Sequence, residues 1–574
     1  MPDLGHPDIS PAPRNGVAPD QASRHTRALE FDEEAYLSVY ADVTVSLDLG
    51  EFATAREHFD CHGRREGRLT DETYIRALGL AGTGPLAVAG ITVSVDTIVG
   101  CRSGTVLVVG WADDRGSPLA SLSLFAGHDR AWNTTAFGRV RRPDVEAALQ
   151  AASGHLFGFW AVATLGGEVA ASDTWTVRGR LADGRFGQAE ARLRLVGEPD
   201  LRTTILGYFA TTECYGNRDI ESYLSLEAGV GAGLVELNRK ITAAVVAGAW
   251  VSYYGPARPR YRGSVIVCLY GKPEFLFLQA ALFSRAAGAA EYEFVYVCNS
   301  PELTEILAKE ARIAPRIYGL SIVLVCLPDN AGFGAANNLA ARFARSDRLL
   351  ITNPDVFPRD DDWAQRHARI LAAAPAAQTR MFGAPLYYDD GSLMHQGMYF
   401  EVDAGVSVRP DGIFATPMIR TEHYAKGAPA WSPQFAAARP VPAITGAFIS
   451  ADRAWFERLG GFNEDYLFGH YEDADLSLKS LAAGSPVWMH DFPLWHMEGK
   501  GSVRRPAHEG GILVNRWLFT RQWGTLIAAE LRGPAPACAA LQPPPPAVAA
   551  PRPVPPPPRP RARTEPAHAT RRSR

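Results

Sequence analysis

The spacing of apolar residues changes along the chain, and each change marks a boundary. Residues 1–30 are aperiodic and contain Pro and Ser, a composition expected to stay disordered. From Phe31 the apolar positions fall at helical spacing, first Tyr36, Leu37 and Tyr40, then Phe52, Ala55 and Phe59, which predicts a helical module over 31–85. Between Leu86 and Val196 the period drops to two. Runs such as Ile91–Val95, Thr105–Trp111, Phe159–Ala163 and Thr174–Val177 alternate with Gly-, Asp- and Asn-rich turns, predicting a β-sandwich-like accessory domain over 86–199. Helical spacing returns with Leu201, Ile205, Tyr208 and Phe209, then Leu234, Leu237, Ile241 and Val245, in a connector spanning 200–261.

Over 262–525 the pattern becomes strand–helix alternation. Ser264–Tyr270, Tyr292–Cys298, Ser321–Leu327 and Arg348–Thr352 are near-continuous apolar runs. Helical stretches near Pro273–Ala287, Glu302–Arg312 and Ala335–Arg345 separate them. Apolar strands of this kind are buried on both faces, so the expected fold class is α/β, with a mostly parallel, Rossmann-like sheet. Right-handed crossovers then bring Tyr270-Gly271, Asn299-Ser300, Asn330 and Asp355 to one sheet edge, where open α/β sheets bind ligands. A further strand is expected at Ile444–Ser450, followed by a helix over Asp452–Leu459 capped by Asp452. Residues 526–574 form a Pro/Arg-rich tail expected to be disordered; from Gly533 onward it holds 14 of the 42 Pro.

Composition narrows the picture. With 47% hydrophobic and 21% charged residues the chain is an ordinary globular sequence. A net charge of -4 gives no electrostatic footprint for nucleic acid. The seven Cys include no CxxC pair; Cys268, Cys298 and Cys326 lie within strand-like runs and are expected as reduced, packed thiols. No basic-then-apolar leader opens the sequence, and the apolar window Ala243–Tyr254 is too short to span a bilayer. The expectation is a cytoplasmic protein, with peripheral contact at the inner face of the membrane left open.

Candidate chemistry gathers in the 262–525 region. Asn353-Pro354-Asp355 puts a carboxylate at a strand end. Gly332-Phe-Gly-Ala-Ala-Asn337 nearly spells a dinucleotide fingerprint, but its third Gly is Asn337 and it follows the third strand rather than the first. Glu472, Asp473 and Asp475 open a helix running to about Ala483, after the Gly- and aromatic-rich approach Gly460–Tyr471. The helix dipole explains one or two of these acids, and a carboxylate that reaches a substrate hydroxyl can act as general base. His496 stands beside another strand end, available to a metal or phosphate, and His395, His423 and Lys426 lie within Tyr387–Trp431, where they could contact phosphate. Elsewhere, His58, Cys61 and His62 lack a second zinc-type ligand pair and read as a solvated helix face. Trp111, Trp132, Trp160 and Trp175 read as core aromatics rather than a sugar-stacking surface.

Together, Asn330–Asn338, Thr352–Val356, Thr445–Phe448, Gly460–Glu464, Gly469–Leu476 and Trp495-His496 resemble family 2 glycosyltransferases of the GT-A fold, most of all bacterial members that build surface polysaccharides. The likeness covers roughly residues 262–505. It implies an inverting transferase using a nucleotide-diphosphate sugar, a divalent cation (Mg²⁺ or Mn²⁺) and a glycan or lipid-linked glycan acceptor. Carried over position by position, Tyr270, Asn299, Asn330, Gly332, Gly334 and Asn353 would bind the nucleotide sugar. Asp355 and His496 would hold the metal, and Asp473 of the Glu472-Asp473 pair would be the catalytic base. Thr445, Gly446 and Asp475 would face the acceptor. Two departures are visible: Asn299 stands where many members carry Asp, and Asn353 replaces the first Asp of the family's Asp-x-Asp. The alternatives are an NAD-type oxidoreductase built on Gly332–Asn337, and an inactive glycan-binding or scaffold protein.

Overall fold

The computed structural model describes residues 33, 36, 37, 43, 47, 52–63, 91–126, 130–151, 154–165, 167–169, 174–212, 218–409, 412–429, 438–503 and 505–532. The expected disordered segment 1–30, residues 64–90 and the tail from 533 lie outside them. In the N-terminal module, a short helix Ala55–His58 carries His58 inward rather than towards solvent. Its ring is buried, within 3.3 Å of the Tyr36 hydroxyl and edge-on to Phe52. The solvated-face reading therefore does not hold for His58, because the aromatic residues around it supply both packing and a hydrogen bond.

Eight strands between Val93 and Leu195 follow. They form one continuous sheet, joined midway by a parallel pairing of Ile98 with Leu193. Its two halves close over a shared core, Leu122, Leu124, Trp175 and Val177 from one and Ile98, Val106, Val108 and Phe159 from the other. The strand Thr105–Ala112 is apolar after Thr105 because both its faces are covered. Val106 and Val108 point into that core, while Leu107 and Val109 join a second core built with the connector helices. Trp160 and Trp175 are buried, and Trp160 packs on Tyr208 and Phe209 of the helix Glu198–Thr211 at 5.6 and 5.4 Å. These two indoles offer no stacking surface.

The connector comprises the helices Glu198–Thr211, Arg218–Ser225 and Gly231–Ala247. It ends in a strand, Trp250–Tyr254, within the stretch expected to be helical. The β-favouring Trp, Val and Tyr side chains there pair antiparallel with Ser321–Cys326 and form one edge of the main sheet. That nine-stranded sheet has at its centre the four parallel strands Arg348–Thr352, Gly263–Leu269, Tyr292–Cys298 and Ser321–Cys326, in that spatial order. Every residue of these four strands is buried. Cys268, Cys298 and Cys326 are free thiols within them. Phe448–Asp452 pairs antiparallel with Arg348–Thr352, and the Asp452 carboxylate caps the next helix by accepting the Trp455 N–H at 2.9 Å.

Three further pieces frame the sheet edge. A four-stranded sheet sets Val356–Pro358 beside Leu494–His496, then Leu386–Tyr387 and Leu393–His395. A long hairpin pairs Met398–Arg409 with Gly412–His423. The C-terminal helix Pro506–Arg532 runs through residues 526–532, assigned above to the tail, because Ile527 continues its buried stripe. It crosses the connector helix at Gly510, where a Cβ would stand 2.3 Å from the Leu206 carbonyl oxygen. Among the described residues, no helix is long and apolar enough to cross a membrane.

Candidate active site

The strand Arg348–Thr352 delivers Asp355 into a tight turn. Its side chain is buried, and Oδ2 accepts the backbone N–H groups of Gly501 at 2.8 Å and Lys500 at 3.1 Å. A Cβ at position 501 would lie 2.7 Å from Oδ1, so a glycine is needed for this approach. His496 is held opposite by strand pairing with Val356, and its Nε2 lies 3.5 Å from Asp355 Oδ1. That distance is beyond a good N–H···O bond. The buried His496 Nδ1 has no hydrogen-bond partner. Asn353 fixes the turn with its backbone, donating to Ala447 O at 3.1 Å and accepting from Gln279 Nε2 at 2.8 Å. The same Gln279 amide also reaches Val356 O at 3.2 Å, so the helix Phe275–Phe283 clamps the turn from behind.

Asp473 lies in the first turn of the helix Glu472–Ala482. Its Oδ2 accepts the Gly446 N–H at 2.7 Å and its Oδ1 the Ala474 N–H at 2.8 Å. Each oxygen retains a lone pair, and the side chain is only half-buried. Since Asn353 bonds to Ala447 and Asp473 to Gly446, the three-residue segment Thr445–Ala447 holds both carboxylate-bearing pieces. Thr445 is buried; its hydroxyl receives the Ala447 N–H at 3.3 Å and shapes this segment.

The approach to Asp473 is strained. Phe468, His470 and Tyr471 have φ of 58°, 81° and 75°, a left-handed conformation that ordinary side chains disfavour. Asn515, buried on the C-terminal helix, holds it. Its Oδ1 accepts the Leu467 N–H at 2.7 Å, and its Nδ2 donates to the carbonyls of Leu467, Gly469 and His470 at 2.9, 2.7 and 3.1 Å. Asn515→Ala is expected to cost about 2–4 kcal/mol, several buried backbone groups losing their partner at once. Thermal unfolding checks the cost, and a larger fall in kcat than rise in donor KM would mark a displaced Asp473.

The other residues expected at the nucleotide end fall into two groups. Tyr270 is half-buried at its strand end, bridged to Ser502, with its ring 5.6 Å from that of His508. His508 in turn lies 4.9 Å from Phe468, so Lys500–His508 runs from Asp355 past Tyr270 to the strained loop. Asn299 and Asn330 face one another instead of the crevice. Asn299 Nδ2 donates to Asn330 Oδ1 at 2.9 Å, Asn299 Oδ1 accepts the Ala331 N–H at 2.9 Å, and Asn330 Oδ1 also takes the Gly332 N–H at 2.8 Å. Gly332 and Gly334 allow close packing, the first against the backbone of Phe468 and the second against Phe462 and Asn463. Asp475 is fully buried away from the crevice, its Oδ1 bound by Gln522 at 2.8 Å and Trp523 at 3.0 Å and its Oδ2 2.6 Å from Lys479.

No family model matches the chain. An uncharacterized protein, y4gI, of Sinorhizobium fredii is 28% identical over 196 residues, which is 34% of this chain and 20% of that relative. The match thus spans a fifth of the relative's length. Among solved structures, GalNAc-T7 with UDP, GalNAc and Mn²⁺ overlaps 46% of this chain and 49% of its own, at 14% identity and a TM-score of 0.33. The mannosyltransferase PcManGT of Pyrobaculum calidifontis, in complex with GDP-Man and Mn²⁺, overlaps 55% of this chain and 88% of its own, at 18% identity and a TM-score of 0.29. A mycobacterial protein overlaps 50% and 78%, at 13% identity and a TM-score of 0.27.

Glu472 differs in kind from its neighbour Asp473. It is buried, its Oε2 has no hydrogen-bond partner, and burial followed by repulsion from Asp473 pushes its carboxyl well above the usual range. Both effects favour its neutral form. A carboxyl raised in the folded state lowers stability as pH climbs from the unfolded carboxyl range towards the raised value. Glu472→Gln is expected to unfold with wild type near about pH 4 and to gain about 1–3 kcal/mol at about pH 8. Thermal unfolding at the two pH values checks this, and an equal gain at both would remove the linkage.

Sequence reasoning did not find Gln279, Asn515 or Arg202. Arg202 is buried on the helix Glu198–Thr211, outside the 262–525 region, yet donates to Asn330 O at 3.1 Å and to Asn238 Oδ1 at 2.7 Å and lies 4.6 Å over the Phe468 ring. Each of the three is a polar residue at a core-facing position of an apolar helical stretch. That was the available signal, since a buried polar group needs a partner.

Proposed function

We propose that the chain is an inverting glycosyltransferase that moves a sugar from a nucleotide-diphosphate donor to a hydroxyl of a glycan or lipid-linked glycan, in bacterial surface-polysaccharide synthesis. The observation that carries the reading is the pairing of two carboxylates across Thr445–Ala447. Asp355 is buried against His496, and Asp473 is half-exposed with open lone pairs. The ordered motifs that resemble family 2 glycosyltransferases support it.

Among the described residues no group of three or more His, Cys, Asp or Glu side chains gathers to hold a metal. Asp355 and His496 nevertheless suit Mg²⁺ or Mn²⁺, which takes few protein ligands when phosphate oxygens and water complete its shell. Among the described residues the N–H groups of Lys500 and Gly501 bond to Asp355 Oδ2 and none to Oδ1, which lies 3.5 Å from His496 Nε2, and the His496 ring keeps an unpartnered nitrogen. When bound there, the cation would neutralise charge on the departing diphosphate. The chain's own residues do the rest. Asp473 accepts the proton of the acceptor hydroxyl as that oxygen bonds to the anomeric carbon. The bond from that carbon to the phosphate oxygen breaks, its electron pair leaving with the nucleoside diphosphate. A single base opposite the leaving group gives inversion. Tyr270, beside the Lys500–His508 segment, would flank the nucleotide, and the Asn299–Asn330 pair would hold the neighbouring loop in shape.

A panel of nucleotide sugars with Mn²⁺, read by thermal shift and then by nucleoside-diphosphate release, tests the reading. One donor is expected to raise the unfolding temperature only with the cation and to be turned over. If no nucleotide sugar does either, the transferase reading is wrong.

A further inference from the structure

The hairpin and the small sheet bring two histidines into direct contact. His395 ends the strand Leu393–His395, which lies one strand away from Leu494–His496. His423 ends the hairpin strand Gly412–His423. Their Nδ1 atoms are 2.8 Å apart, and the rings cross at 74° with centroids 4.9 Å apart. Two ring nitrogens this close must be one donor and one acceptor, so the rings take opposite tautomers. A third contact decides which is which. The Gly397 N–H points at His395 Nε2, 3.2 Å away, so that nitrogen is the bare acceptor. The His395 proton is then on Nδ1 and is donated to His423 Nδ1, which leaves the His423 proton on Nε2.

His423 Nε2 is the one ring nitrogen of the pair without a partner among the described residues. The ring is half-buried, and the charged groups around it are Asp473, Lys426, Glu498 and Glu422. Burial holds both rings below the usual histidine range, which keeps them neutral. Lys426 and Glu498 are paired with each other at 3.0 Å, and Tyr388 also donates to Glu498, at 2.7 Å. That leaves an oriented, uncharged N–H on the strand residue paired with Met398, which bonds to Ala443 and packs with Tyr471 and Ala474, the residue after the base.

We propose that His423 is a positioning residue of the acceptor side, its Nε2–H donating to an oxygen of a neutral, hydroxylated acceptor while Asp473 takes the proton of the reacting hydroxyl. His395 acts through it by fixing the tautomer. This rests on the transferase reading. A neutral donor grips an oxygen lone pair without protonating it and without favouring anions, which suits an uncharged sugar ring or hydroxyl.

The test uses the full chain with ¹⁵N-labelled histidine, a donor from the panel above, Mn²⁺, and p-nitrophenyl glycosides as acceptors. The ¹⁵N–¹H spectrum is expected to show His423 as the Nε2–H tautomer and His395 as the Nδ1–H tautomer, with the His423 Nε2–H resonance moving when glycoside is added. His423→Phe is expected to raise acceptor KM about three- to tenfold, one hydrogen bond's worth, with a smaller change in donor KM. His395→Leu, which frees the tautomer, should raise acceptor KM, and His395→Asn, which keeps a donor towards His423, should restore it. Reversed tautomers, an unchanged acceptor KM, or an equal rise in donor KM would overturn the proposal. If the wild-type chain turns over no nucleotide sugar, the function proposed above fails. The His423 resonance on glycoside addition then decides this inference alone: a shift supports it and a still resonance overturns it.

Discussion

Replacing Asp473 by Asn is expected to lower sugar transfer by about 10²–10⁴-fold, the usual contribution of a positioned general base. The substitution keeps the size of the side chain and one acceptor oxygen. It removes the second acceptor, so one of the two N–H groups now bound, Gly446 at 2.7 Å or Ala474 at 2.8 Å, would face an NH₂ group. A local cost of about 1 kcal/mol is therefore expected in thermal unfolding. Donor binding should survive, because the Asp355 turn is held separately by Gln279, Gly501 and Lys500. The decisive comparison is between the thermal shift caused by donor with Mn²⁺, which should persist, and the transfer rate, which should collapse. Transfer at the wild-type rate would exclude Asp473 as the base and turn attention to a differently built site.

Asp355→Asn is expected to abolish the cation-dependent thermal shift and to lower transfer on the order of 10³-fold, several kcal/mol of leaving-group stabilisation being lost. Asn can still accept the Gly501 and Lys500 N–H groups through its oxygen, so the turn should remain folded. Its NH₂ group would then face His496, where a cation ligand was. His496→Ala removes the neutral ligand of the pair and is expected to weaken Mn²⁺ binding less. Titrating Mn²⁺ into both variants by thermal shift, with and without nucleoside diphosphate, separates metal binding from chemistry. A shift that survives in Asp355→Asn would place the cation elsewhere.

Much of the organisation was legible in the chain itself. The four apolar runs at 264–270, 292–298, 321–327 and 348–352 read as buried parallel strands, and the structure pairs all four in one sheet. Their period is legible because covering both faces leaves no polar alternation to confuse it. The Asp452 cap was legible because caps are local chemistry, and the helix opening at Glu472 because acidic residues favour a helix's first turn. The strand Trp250–Tyr254 was missed, since a short apolar stretch after a helix reads as more helix until it finds a partner strand. The buried state of His58 was missed for a similar reason: Phe52 adjoins its helix, but Tyr36, 22 residues earlier in the chain, reaches it only through the fold.

Within the site the division follows the range of the interaction. Residue type and strand-end position singled out Asp355, His496 and Asp473, because ionisable groups at a sheet edge carry chemistry wherever the fold puts them. Side-chain direction decided the rest. Asn299 and Asn330 turn towards each other, Asp475 turns into the C-terminal helix, and Glu472 is buried with its carboxyl pushed upward while the adjacent Asp473 stays open. Asn515, Gln279 and Arg202 act across long stretches of sequence, 45 residues from Asn515 to His470, 74 from Gln279 to Asn353 and 128 from Arg202 to Asn330. Spacing along the chain carries no trace of such contacts. The sequence by itself determined the layered α/β core and which acids stand at its edge; only the tertiary structure decided which are buried, which are spent on the backbone, and which histidines meet, because those contacts join separate parts of the chain.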